Sequence, residues 1–122
     1  MTMTDNSSTN PLLERLQELE RETDFEFVVE LIDIYLNETP RHIQLIAAAL
    51  KAQDPTALTI TSHTLKGSSL NLGAKHIGAL CSTLEELGRS LQPIPGGTST
   101  QEIEKEFEQI LVMLNTYKQS KH

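Results

Sequence analysis

DPTALTITSHTLKGSSLNLG, residues 54–73, opens on aspartate followed by proline and closes on glycine. Asp-Pro is a helix start, because the aspartate side chain can accept from an orphan backbone N–H and a proline in the first position has no donor to lose. Gly73 marks the end, so the helix should run from there through His63 to about Leu70 or Leu72. Rotating about 100° per residue from His63, Leu58, Thr61, Leu65 and Leu72 fall roughly 160° to 220° away. The apolar stripe is therefore opposite the histidine, and His63 is expected to point outward. Thr56, Thr59, Ile60, Lys66, Gly67 and Leu70 share its side, within about 60° by the same rotation.

Working outward from this segment, Leu12, Leu16 and Leu19 recur at helical spacing behind Asn10-Pro11 and end near Glu22, which predicts a short leading helix. Thr23 with Glu26 matches a capping box and opens the longest periodic run: Phe27, Val28, Leu31, Ile32, Tyr35 and Leu36, then Ile43, Ile46, Ala47 and Leu50. Pro40 interrupts that run, and its missing donor predicts a kink or break near Asn37 to Thr39. Beyond Gly73, Ala74 to Leu91 carries Ile77, Leu80, Leu84, Leu87 and Leu91 on one face. PIPGGTST, residues 93–100, is a loop, and Gln101 to Lys118 places Ile103, Phe107, Ile110, Leu111 and Leu114 on another face. Short connections between such helices predict an all-α fold, an antiparallel up-and-down four-helix bundle with a short extra N-terminal helix. Residues 1–10 are polar and aperiodic and are expected to form a disordered tail, leaving 11–120 as the bundle domain.

The bulk composition agrees. In 122 residues, 38% are hydrophobic and only 4% aromatic, with Leu, Ile and Ala prominent, which suits helix packing. A net charge of −7 repels nucleic acid and anionic lipid, and no stretch approaches the roughly 18 apolar residues of a membrane span. One cysteine, Cys81, excludes an internal disulfide framework, and MTMTDNSSTN lacks a signal-peptide pattern, so a cytoplasmic protein whose partner is another soluble protein is expected.

The residue four positions after a helical side chain drapes over it, and after His63 that residue is Gly67. An interior glycine costs a helix roughly 1 kcal/mol against alanine, and here it leaves the imidazole approachable. Lys66 can bring an ammonium near any anion carried by the ring. Residues 55–84 contain no Asp or Glu, although the chain has 17, and even spreading would put about four there. An anionic group on His63 is thus expected to meet little repulsion. A neutral imidazole nitrogen is a competent nucleophile, so His63 can accept a phosphoryl group. Thr59, Ile60 and Leu70 would form the docking patch for the protein that delivers or removes it.

HTLKGSSLNLG, His63 to Gly73, resembles the signature of the histidine phosphotransfer (HPt) domains of bacterial multistep phosphorelays, and the likeness in helix pattern extends over roughly residues 12–118. The resemblance implies that His63 is the phosphorylated residue, that Lys66 stabilises the phosphoryl group and that Gly67 permits close approach. It also implies that receiver domains of response regulators are the partners, with a hybrid sensor histidine kinase among them, and that they supply the metal and most catalytic groups. The chain itself would be a monomeric phosphocarrier without cofactor or metal, not an enzyme. Many members carry Gln 22 residues after the histidine, whereas Glu85 stands there in this chain. Its charge could be turned away, weaken the phosphorylated form or contact a basic residue of the partner, and it is not counted as a phosphate ligand.

Outside this site the readings are structural. Ser68 and Ser69 should let a neighbouring helix come close, Cys81 should be a small core residue, and His76 a partly buried packing residue. His42, four residues after Glu38, lacks a second histidine or cysteine to make a metal site. The acidic run around Glu104, Lys105 and Glu108 reads as a solvated face. The alternative function is a helical-bundle adaptor that binds a partner through the face around Ile60, Gly67 and Leu70 without phosphorylation. A small enzyme with His63 as general base would need a second catalytic group, and none is visible.

Overall fold

In the computed structural model, which describes residues 10–121, five helices follow one another: α1 Asn10–Glu22, α2 Phe25–Ala52, α3 Pro55–Leu72, α4 Lys75–Arg89 and α5 Gln101–Lys118. The expected N-terminal tail lies outside the described residues apart from Asn10, which is the first residue of α1. Two-residue turns join α2 to α3 and α3 to α4, which forces these three helices antiparallel. A longer loop carries the chain from α4 to α5, and α5 closes the bundle against α2 and α4 while α1 leans on α2 and α3.

The caps explain where the helices start and stop. Asp54 accepts from Ala57 N at 3.1 Å, with Pro55 as the first residue of α3, as the sequence predicts. The cap of α2 sits one residue later than expected: Asp24, not Thr23, accepts from Phe27 N at 2.8 Å, and the Thr23 hydroxyl instead bonds back to Leu19 O. Both are good capping residues, so the sequence pattern alone could not separate them. Gly73 ends α3 with φ 95°, a left-handed conformation open to glycine at little cost. Space requires glycine there as well, since a Cβ would stand 2.6 Å from Arg15 Cβ. Arg15 Nε in turn donates to Asn71 O at 2.8 Å and so satisfies a carbonyl in the last turn of α3.

No break occurs at Pro40, because α2 runs unbroken through it. Proline in a helix interior costs about 3 kcal/mol. Tyr35, Ile43 and Ile46, on both sides of Pro40, are all buried, and each contributes roughly 1.5–3 kcal/mol by leaving water, so packing outweighs the lost hydrogen bond. The core stripe of α2 also differs in detail from the expected one: Ala49 is buried where Ala47 was expected, and Phe27 is exposed.

The interior is a single cluster in which Leu16, Val28, Ile32, Ile46, Leu58, Leu65, Ile77 and Leu114 are almost wholly buried. Ser69 and Tyr35 share a buried hydrogen bond of 2.8 Å between α3 and α2, so Ser69 supplies a polar tie as well as the small volume expected of it. Gln53, left-handed at φ 54°, ties down the α4–α5 loop. Its amide donates to Ile94 O at 3.1 Å and accepts from Ile94 N at 3.0 Å.

Candidate functional site

The seam between α3 and α4 is the most extensive helix pairing among the described residues, and two glycines line it. A Cβ on Gly88 would stand 2.7 Å from Pro55 O and press on Thr59 Oγ1, while one on Gly78 would stand 2.5 Å from Leu70 Cδ2. Gly88 thus lets α4 approach α3 where a side chain would meet backbone, whereas a Cβ at Gly78 would meet the movable side chain of Leu70. His63 lies between Thr59 and Leu70 on α3, and Glu85 lies between Gly78 and Gly88 on α4, so the close approach on either side delivers Glu85 beneath the imidazole.

Glu85 is the centre of the site, with only 3% of its side chain exposed. Its Oε2 lies 2.9 Å from His63 Nδ1 and 2.6 Å from Arg89 Nη2, and its Oε1 lies 2.7 Å from Lys66 Nζ. A buried carboxylate is costly unless its charge is compensated, and here two cations and an N–H surround it. The Lys66 ammonium foremost, opposed by burial and aided by the His63 hydrogen bond and the Arg89 charge, holds the carboxyl down to about 2. Glu85 is therefore ionised near neutrality and can only accept hydrogen bonds. It follows that Nδ1 carries the proton, and in a neutral ring the lone pair is on Nε2. Among the described residues Nε2 has no hydrogen-bond partner.

The sequence-derived site residues fall into two groups. His63, with 63% of its side chain exposed, and Lys66, about one-quarter exposed, meet through Glu85. Gly67 faces open space, since a Cβ there would have no atom within 4 Å, and Ile60 and Leu70 are exposed. Thr59 is half-buried, its hydroxyl donating to Pro55 O at 2.8 Å and lying against Gly88. The expectation of an acid-free neighbourhood does not survive, because the first acid beyond the 55–84 window is the one that folds against His63. Linear charge counting missed it because α4 runs back alongside α3.

Glu85 in its central place and Arg89 were not foreseen, yet a signal existed. Gly78, Cys81, Leu84 and Gly88 mark the buried side of α4, and Glu85 falls among them. A carboxylate on such a stripe demands positive partners, and Arg89 is one turn away. Cys81, one turn earlier, is fully buried as expected, and burial pushes its thiol up to about 12 against the pull of Lys66.

The remaining histidines stand apart. His76 is exposed, not partly buried, because it turns to Glu106 on α5, whose Oε1 lies 3.0 Å from its Nδ1. His42 is half-buried and burial lowers its pKa. Among the described residues no group of three His, Cys, Asp or Glu side chains is placed to hold a metal ion.

Comparison with known proteins adds two findings. The family model described as the Hpt domain matches residues 30–112. The phosphorelay intermediate protein rdeA of Dictyostelium discoideum is 24% identical over 99 residues, a match that takes in 81% of this chain and 39% of the relative. The chain thus spans about two fifths of the length of that curated relative. No solved structure matches the chain.

Proposed function

The chain belongs to the Hpt domain family, and on that premise we propose that it is a phosphocarrier in which His63 Nε2 takes a phosphoryl group from a receiver-domain aspartate and passes it to another. In the accepting step the Nε2 lone pair forms the N–P bond while the acyl-phosphate P–O bond breaks and the aspartate carboxylate leaves. The ring becomes cationic as this happens, and its Nδ1–H stays hydrogen-bonded to Glu85, which keeps Nε2 aimed at the phosphorus. Donation to the second receiver is the reverse sequence.

The observation that carries this reading is the exposed imidazole whose Nδ1 is held 2.9 Å from an ionised, buried carboxylate, which leaves Nε2 as the outward nucleophile. Lys66 is close enough to turn from Glu85 toward a phosphoryl group, and the open space at Gly67 admits a partner's backbone. Ile60 and Leu70 are the apolar contacts we assign to docking, with Thr59 at the edge of that patch. The metal and most catalytic groups belong to the receiver in this scheme, and the relevant kinase is one that phosphorylates such a receiver. Among the described residues no helix is long and apolar enough to cross a membrane, and the proposal places the protein in the cytoplasm as a monomer. The adaptor alternative has no observation of its own, since the same exposed Ile60 and Leu70 serve a docking receiver equally well.

The test is transfer of label from a phosphorylated receiver domain to the full chain, read as acid-labile, base-stable phosphate. His63→Gln should take up none. Label retained by that variant overturns the proposal.

A further inference from the structure

Both oxygens of Glu85 are occupied by cations. Arg89 Nη2 lies 2.6 Å from Oε2, the same oxygen that receives His63 Nδ1 at 2.9 Å, and Lys66 Nζ lies 2.7 Å from Oε1. A lone carboxylate at this distance would do two things to an imidazole. It would fix the tautomer by accepting from Nδ1, and it would also favour the doubly protonated ring, which has no lone pair to attack with. Only the first helps a nucleophile at neutral pH. A cation on the same oxygen weakens the second effect while leaving the acceptor in place.

We propose that Arg89 is a positioning residue for the phosphoryl-accepting imidazole: with Lys66 it saturates the charge of Glu85, so that the carboxylate orients the ring without converting it to imidazolium. This rests on His63 being the phosphorylated residue. Arg89 stands on α4 one turn after Glu85, with 65% of its side chain exposed, so its substitution perturbs no core packing. The groups that face the ring are few: Lys66 from α3 itself, Glu85 and Arg89 from α4, and the buried thiol of Cys81 behind them, which burial keeps protonated. Among the described residues no charged side chain of α1, α2 or α5 bonds to His63, Lys66 or Glu85.

The experiment is an NMR titration of the His63 ring in the full chain, paired with the pH dependence of labelling by phosphoramidate. Arg89→Gln should raise the His63 titration midpoint by about half a pH unit or more, and Arg89→Lys should restore most of the original value. Labelling of Arg89→Gln should be slowed at pH 7 and regain the wild-type rate as the pH is raised. In a Glu85→Gln background the added Arg89→Gln change should move the midpoint less than half as far, because Arg89 acts through the carboxylate. An unchanged or lowered midpoint in Arg89→Gln overturns the proposal, and so does an equal upward shift with Glu85 absent. Failure of a phosphorylated receiver to label His63 would instead sink the phosphocarrier reading, and the titration, which needs no phosphodonor, would still decide the role of Arg89.

Discussion

Two histidines on this bundle make nearly the same contact. On the α3–α4 seam His63 Nδ1 meets Glu85 at 2.9 Å, and on the α4–α5 seam His76 Nδ1 meets Glu106 at 3.0 Å. Both rings are half or more exposed. What differs is everything behind the carboxylate. Glu85 is buried and held by Lys66 and Arg89, whereas Glu106 is 15% exposed and, among the described residues, pairs with no Lys or Arg. The residue four positions after His63 is a glycine facing open space, while after His76 it is Leu80, half-buried against the core. A histidine–carboxylate pair is thus not in itself a site. It becomes one where a compensated, buried acceptor fixes one nitrogen and bare backbone leaves the other approachable.

The comparison breaks most visibly at the rings. His63→Gln should abolish labelling by a phosphorylated receiver, and His76→Gln should leave it within about twofold, as measured on the same gel. Access comes next. Gly67→Leu should cut labelling by a receiver about tenfold or more while leaving the thermal midpoint no lower, because the added side chain meets no atom of this protein and replaces a poor helix former. Packing of the seam follows. Gly88→Ala should destabilise the fold by about 1–3 kcal/mol in urea unfolding, since its Cβ would press on Pro55 O and Thr59.

Acid should also separate the two seams. Glu85 is held at about 2 against an ordinary 4.5, a depressed value, so its contribution to stability is present above about 4.5 and is lost as pH falls toward 2. Unfolding followed from pH 6 to pH 2 should therefore show a shallower acid decline in Glu85→Gln than in the wild type. The smallest effect belongs to the other pair, where Glu106→Gln should change stability by no more than about 0.5 kcal/mol, because its His76 partner is half exposed to water.

How far the sequence could take this comparison depends on whether the determining contact is local. Helix ends set by adjacent residues, such as Asp54-Pro55 and Gly73, were legible, as was the outward direction of His63, because a periodic stripe fixes the face of a helix. The break expected at Pro40 does not occur because the proline's cost is local while the burial of Tyr35, Ile43 and Ile46 that offsets it is tertiary. The surroundings of His76 and of Glu85 escape a sequence reading for one reason: each is defined by a partner across a seam, 30 and 22 residues away. Rotation about one helix axis gives a direction but not what waits there.

Cys81 is the chain's single thiol, and it lies fully buried one turn from Glu85, with its ionisation pushed to about 12. Alkylation requires the thiolate and room for the reagent, so the closed bundle withholds both. The rate at which iodoacetamide modifies the protein consequently clocks how often α3 and α4 part, and it does so from inside the joint that carries the imidazole. Nature has left a spectator there that needs no engineered label to be read.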